Sequence, residues 1–386
     1  MLGPTEGILM GKKEQITYSV VGDFLSGRVS RREASELLQV RERTVSRIAR
    51  RIEEKKMMGV VHGNRGRKSL RRLPDDLKRD VMGLMETTYF DFNMTHALEV
   101  LKSEHGLEVG YSTFRKWCDE RHLVKRRKRR RGKIRVKRTR MPSEGLLLQM
   151  DGSPHRYNGK DKWCLIAAID DATSEIPWAE FFLGEDTLSC MTVMQRIIEK
   201  KGIPQAIYTD KAGIFGGQKR QNFSQFCRAC EELDIQVICA DSAQAKGRIE
   251  RTWDTAQDRI VPEMRIRKIH RMPAANSYLQ EQFLPNYWDQ NNRVAPRNNQ
   301  SRYRKLSPKT NLREIFCIKD FRCVKADHTI SWQGDTYQVA SPLKYFIHGQ
   351  KIEIRTYQDL TWKTYFAGRE IPIVKFERPQ SLKIAA

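Results

Sequence analysis

The sequence predicts a multidomain chain with three parts: an all-α N-terminal region of helix-turn-helix modules, an α/β core built on a mixed sheet flanked by helices, and a small C-terminal β-barrel. Three observations carry this. Apolar residues recur at helical spacing to about residue 123. Apolar runs of strand length then alternate with helical patterns through the middle of the chain. From Phe321 onward, Val324, Ile330, Trp332, Tyr337, Val339, Ile352, Ile354, Trp362, Tyr365 and Phe366 alternate with polar residues, punctuated by Gly334, Gly349 and Gly368.

At the N-terminus, Ser30-Arg31-Arg32-Glu33 has the form of a capping box. Ala34, Leu37 and Leu38 then face inward, Val40 marks a tight turn, and Val45, Ile48, Ala49 and Ile52 form the apolar side of a second helix. Its other face would offer Arg43, Thr44, Arg47 and Arg50 to a major groove; a helical bundle with a basic surface shows the same periodicity. Gly63-Asn64-Arg65-Gly66-Arg67-Lys68 is slim and cationic, so Arg65, Arg67 and Lys68 suit an arm in a narrow minor groove. A second helical module follows: Pro74, Asp75 and Asp76 open one helix, Thr95 is placed to cap another, and Tyr111 to His122 forms a third, with Arg115 and Lys116 exposed.

Charge narrows the function classes. The 386 residues carry 71 Lys plus Arg against 47 Asp plus Glu, a formal net charge of +24, which points to a polyanionic partner such as nucleic acid. From Lys125 to Arg140, 12 of 16 residues are basic. Such a block repels itself and would track phosphates, positioning the protein without reading sequence. No apolar run approaches the ~18 residues of a membrane span, and the N-terminus lacks a secretory apolar region. A cytoplasmic protein is expected, and eight scattered cysteines fit reduced thiols there. Cys227 and Cys230 form a C-x2-C pair, but no second Cys or His pair follows at finger-like spacing.

The core is expected to hold strands at 146–151, 163–170 and 176–183, a helix at 187–200, a strand at 204–210, a helix at 220–233, a strand at 235–239 and a final helix. Three carboxylates sit where chemistry could use them. Asp151 closes the run Leu146 to Met150, and Asp210 closes Ala206 to Thr209, so each is expected at a strand end on the sheet's rim. Glu250 lies on the final helix, with Ile249, Trp253 and Ile260 on that helix's apolar side. Hard cations such as Mg2+ take a few carboxylates plus substrate phosphate oxygens. A pair of them, ~3.5–4 Å apart, activates an attacking oxygen and stabilises a leaving one. Asp170 and Asp171 also follow a buried strand, and Asp254 lies one turn past Glu250, so each competes for the same role.

Four segments carry a resemblance: Leu148 to Ser153, Ile169 to Ser174, Tyr208 to Phe215 and Ser242 to Arg251. Together they resemble the catalytic core of bacterial insertion-sequence DDE transposases with a retroviral-integrase-type domain, the ISNCY group in particular. The resemblance implies a ribonuclease-H-like core, with Asp151, Asp210 and Glu250 as the acidic triad and two Mg2+ ions, Mn2+ being able to substitute. Lys211-Ala212 stands where many relatives have Asn-Gly. Lys246 and Arg248 would reach DNA phosphates beside the metals.

The activity implied is DNA transposition: binding of the element's inverted-repeat ends, cleavage at the 3' end, and strand transfer into target DNA without a nucleotide cofactor. The partners are double-stranded DNA and further copies of the chain, at least a dimer on DNA, with nucleoid association following from that. A transcription regulator derived from a transposase, or a plain metal-dependent nuclease, would share some of these features. The expected divisions are helix-turn-helix domains at 1–66 and 67–124, a basic linker at 125–142, the catalytic core at 143–290, a linker at 291–318 and the barrel at 319–386.

Overall fold

The structure, a computed structural model, describes residues 10–62, 73–124, 139–209, 224–239, 247–340 and 347–376, without the side chains of Gly247, Arg248 and Glu250. Arg65, Arg67, Lys68, most of the basic segment, Asp210 and Lys246 lie outside the described residues. The chain divides into two units, Met1–Arg79 and Asp80–Ala386. Among the described residues no helix is long and apolar enough to cross a membrane.

In the first unit, α1 (Lys12–Leu25), α2 (Arg31–Leu37) and α3 (Glu42–Lys55) enclose Val21, Ala34, Val45, Ala49 and Ile52. The capping box forms: the Ser30 backbone N–H donates to Glu33 Oε2 at 2.8 Å, and Glu33 N–H donates to Ser30 Oγ at 3.2 Å. The turn between α2 and α3 passes through Gln39 at φ 53°, one residue before the expected Val40.

The second unit begins within α4 (Asp75–Thr87), followed by α5 (Met94–His105) and α6 (Tyr111–Glu120). Asn93, not Thr95, caps α5, its Oδ1 accepting from His96 N–H at 2.8 Å. Asn93 has the extended backbone that a cap requires, at φ -71° and ψ 158°, whereas Thr95 already lies inside the helix's first turn.

The core sheet has the order β3-β2-β1-β4-β5. β1 (Leu148–His155), β2 (Trp163–Asp170) and β3 (Trp178–Phe182) are antiparallel neighbours. β4 (Ala206–Thr209) runs parallel to β1, in the register Leu148↔Ile207 and Gln149↔Tyr208, and β5 (Gln236–Cys239) runs parallel to β4. One face of the sheet packs Leu148, Met150, Ile166 and Ala168 against α7 (Thr187–Lys201) and α8 (Gln225–Glu231). The opposite face packs Leu165, Ala167, Ile169 and Phe181 against α9 (Gly247–Ile266) and α10 (Met272–Tyr278). α10 runs on into a π-helical stretch, Leu279–Trp288, that contains Pro285. A proline without an amide hydrogen and a widened turn go together.

β1 corrects one expectation. It continues to His155, so Asp151 is paired with Ala167 within the strand and does not close it. The apolar run stops at Met150, yet hydrogen bonding to β2 keeps the following polar residues extended.

Asp170 and Asp171 are buried and spoken for. Asp170 accepts from the N–H groups of Gly145, Ala172 and Thr173, and Asp171 accepts from Met141 N–H and from Gln149 Nε2 at 2.7 Å. Burial raises the Asp170 pKa against those bonds. Gly145, at φ +78°, lies against Tyr303, which an added Cβ would meet at 2.6 Å. The stretch expected as a linker at 291–318 is bound along the core: Arg304 bridges Ile203, Arg302 N–H donates to Glu144 O, and Leu312 and Phe316 enter the α7 side of the core.

In the C-terminal part, β6 (Ile318–Cys323), β9 (Lys351–Thr356), β10 (Trp362–Phe366) and β11 (Arg369–Glu370) form a four-stranded sheet in the order β11-β10-β9-β6, and β7 (Thr329–Trp332), β8 (Asp335–Val339) and β12 (Ile373–Lys375) form a three-stranded one in the order β12-β8-β7. Val324, Ile330, Trp332, Val339, Ile352 and Ile354 are buried in one shared cluster. The described strands close no barrel. Between β11 (Arg369–Glu370) and β12 (Ile373–Lys375) stands Pro372, which has no amide hydrogen to carry a ladder across.

α9 is also the floor for α5 and the chain just before it. His96, only 1% exposed, pairs through Nε2 with Glu263 Oε1 at 2.8 Å. Arg259 pairs with Glu99 at 2.7 Å and lies 3.7 Å over the Tyr287 ring. Arg265 grips both oxygens of Asp91 and the Thr88 carbonyl. Burial pushes the Glu263 pKa up, but the His96 hydrogen bond and the charges of His96 and Arg267 outweigh it and leave it below the ordinary 4.5.

Two outcomes follow. Asp171→Ala strands the buried Gln149 amide and the part-buried Met141 N–H and should lower stability by about 2–4 kcal/mol, read as a drop of roughly 3–6 °C in Tm. Because the folded Glu263 pKa is depressed, its contribution is full above 4.5 and is lost as pH falls through the lower value. Hydrogen exchange in α5 should therefore be faster in Glu263→Gln than in wild type at neutral pH, and the difference should shrink on acidification below 4.5.

Candidate active site

Alternation along β1 sends Leu148 and Met150 to the α7 side, and Gln149, Asp151 and Ser153 to the α9 side. α9 meets that polar row with a stripe of its own. Ile249, Trp253, Ala256, Ile260 and Met264 are buried against the sheet at helical spacing. Within this seat, Trp253 Nε1–H donates to Asp151 Oδ2 at 3.0 Å. One turn on, Gln257 Nε2 donates to Ser153 Oγ at 2.9 Å, and the Tyr157 hydroxyl donates to the same oxygen at 2.9 Å. Burial, against those hydrogen bonds, pushes the Tyr157 phenol up to about 12.

Asp151 is half-buried, as is Gly152 beside it. Gly152 permits a close approach on the α7 side: an added Cβ would lie 2.5 Å from Glu185 Oε2 and 3.0 Å from Cys164 Sγ. Burial first, then the negative charges of Glu185 and Asp151, push the Cys164 thiol up to about 12. That sulfur is protonated and no nucleophile. Sequence reading passed over Glu185, whose only signal is the Gly184-Glu185-Asp186 turn before α7. It also took Trp253 for packing alone.

The other expected site residues are distributed as follows. β4 is described to Thr209, the residue before Asp210. Glu250 belongs to the first turn of α9, three residues ahead of Trp253; Arg248 belongs to the same turn. Asp254 is exposed, about 100° round the helix from Trp253. It lines a cleft with Asn93, Arg115, His155 and Asp258. Arg115 and Lys116 are exposed on α6; Arg43, Arg47 and Arg50 are exposed on α3, with Thr44 half-buried beside them. Arg50 pairs with Glu54 at 3.2 Å.

Among the described residues no three His, Cys, Asp or Glu side chains gather in a group able to hold a metal ion. Cys227 and Cys230 therefore recruit no further ligand there, and burial holds the Cys230 thiol well above its ordinary value. Asp151 is the one member of the expected acidic set whose side chain is described. Its hard oxygen donors, half-exposed and oriented by an indole N–H, suit Mg2+.

No family model matches the chain. A protein of Sinorhizobium fredii named as transposase y4bF is 30% identical over 391 aligned residues, spanning 98% of this chain and 84% of that one. The transposase for insertion sequence IS1202 of Streptococcus pneumoniae is 29% identical, over 68% of this chain and 65% of its own length. Among solved structures, a simian T-cell lymphotropic virus intasome in complex with a PP2A regulatory subunit matches 71% of this chain and 93% of its own, at 14% identity and a TM-score of 0.36. The HTLV-2 integrase catalytic core domain, solved with magnesium, matches 36% of this chain and 89% of its own, at 18% identity and a TM-score of 0.29. On the extent and identity of the first of these relatives, the chain belongs to the transposases of bacterial insertion sequences.

Proposed function

We propose that this chain is a DDE transposase whose acidic triad is Asp151, Asp210 and Glu250. The observation that supports the reading is that β1 meets both of the other elements, β4 alongside it and α9 across it. β1 bears Asp151, its parallel neighbour β4 leads into Asp210, and α9 is laid over β1 by the Trp253–Asp151 bond, with Glu250 one turn earlier. Two Mg2+ ions, or Mn2+ in their place, would activate the attacking oxygen and stabilise the leaving one.

The three acids would hold those ions against a phosphodiester. Water is the first attacking group, at the element's end, and the freed 3' hydroxyl is the second, at target DNA; both are displacements at phosphorus that need no nucleotide cofactor. Lys246 and Arg248, next to Glu250 in sequence, would neutralise nearby phosphates. Each contact of this kind adds to the salt dependence of binding.

The remaining segments take recognition roles in this reading. The 1–66 and 67–124 modules would bind the inverted repeats, α3 entering a major groove through Arg43, Thr44, Arg47 and Arg50, with Arg65, Arg67 and Lys68 as a minor-groove arm and Arg115 and Lys116 on the second module. The 125–142 segment would run along DNA between recognition and catalysis at 143–290. The 291–318 segment leads to the C-terminal domain, 319–386, a small β domain that binds DNA or another copy. Two ends joined together call for at least a dimer on DNA, in the bacterial cytoplasm at the nucleoid.

Asp210→Asn should abolish cleavage of a duplex bearing the element's end while end binding in a mobility-shift assay stays within a few-fold of wild type. Residual cutting by that variant would remove Asp210 from the site. With wild-type protein, strand-transfer products on a plasmid are expected, and simple hydrolysis alone would make the chain a nuclease.

A further inference from the structure

We infer that Trp253 is a positioning residue for the catalytic carboxylate of Asp151, and that with Gln257 it sets the register of the helix that carries Glu250. This rests on the reading of Asp151 as a metal ligand.

Trp253 is 8% exposed in the apolar stripe of α9, where a phenylalanine or leucine would fill the space. A buried indole differs from those in one respect: its N–H needs a partner. Here the partner is a carboxylate, Asp151 Oδ2, at 3.0 Å. The bond therefore couples the angle of that carboxylate to the rotation of α9.

A second bond makes the coupling rigid. Gln257 donates to Ser153 Oγ, which the buried Tyr157 hydroxyl also holds. Four residues of helix rise ~6 Å and two residues of strand ~6.6 Å. The pairs 253–151 and 257–153 thus run side by side as rungs between α9 and β1. A slide of one residue along α9, or a rotation of the helix, would break both rungs. Orientation of a metal-binding carboxylate by a hydrogen-bond donor behind it is worth about 10- to 100-fold in metal affinity.

The test uses the full-length chain without DNA and Mn2+ alone as the probe, bound and free ion being separated by electron paramagnetic resonance. Trp253→Phe removes the N–H. A second variant, with 3-benzothienylalanine at position 253, puts sulfur in place of the N–H and keeps the ring's volume. Both should show a Mn2+ dissociation constant raised about 10- to 100-fold, with circular dichroism unchanged. Cleavage of end-bearing DNA should fall at low Mg2+ and recover as Mg2+ is raised, whereas a purely structural defect lowers it at every concentration.

Asp151→Asn separates the two layers of the argument. If it loses the Mn2+ site while a folded Trp253 variant binds like wild type, the positioning role is wrong and the site stands. If Asp151→Asn itself binds like wild type, the assignment of Asp151 fails. Should Trp253→Phe unfold, the isostere decides, and its own unfolding would contradict a role confined to positioning.

Discussion

The seat of α9 on β1 is the constraint on which this molecule depends. An apolar stripe from Ile249 to Met264 would hold a helix against a sheet in several registers, since dispersion and burial are indifferent to small slides. The polar rungs remove that freedom. Each leaves a buried donor unsatisfied if it breaks, and the cost of a stranded donor exceeds the gain of forming the bond. Specific register thus comes from a few hydrogen bonds laid over a larger non-specific attraction.

The same helix is held from its other side by charge. Arg259, Glu263 and Arg265 on α9 engage Glu99, His96 and Asp91, and these contacts are partly or wholly withdrawn from solvent. One element therefore bears both the α5 region and the strand that presents Asp151. Beneath it, Asp170 and Asp171 tie down the chain at Met141 and Gly145, so that β1 enters the sheet at a fixed height. Those two acids are consumed by backbone donors and by the Gln149 amide, whereas Asp151, inside β1, accepts from an indole N–H.

The centre of the sheet was legible in the sequence because β2 is buried along its whole length, and a continuous apolar run such as Trp163 to Ile169 marks itself. The capping box at Ser30 was legible because its two bonds are local. What escaped was set by distant partners. Asp151 reads as a strand end because the apolar run stops there, yet β2 supplies hydrogen bonds for another turn-free stretch to His155. Trp253 reads as packing because helical spacing cannot show that an acid more than a hundred positions away faces its N–H. Glu185 approaches Gly152 only through the fold. The polar 291–318 stretch reads as a linker, but Arg302 and Arg304 find backbone partners on the core. Alternation in the C-terminal part gives strands faithfully and cannot tell two sheets from a closed barrel.

The central claim is that Asp151, Asp210 and Glu250 surround one metal centre. Iron-directed cleavage tests it most directly: Fe2+ loaded in place of Mg2+, with ascorbate and peroxide, cuts backbone only within reach of the bound ion. The account predicts three sets of fragments, ending near positions 151, 210 and 250, all suppressed by excess Mg2+. Cuts clustered at one of these positions alone, or at none of them, would contradict it.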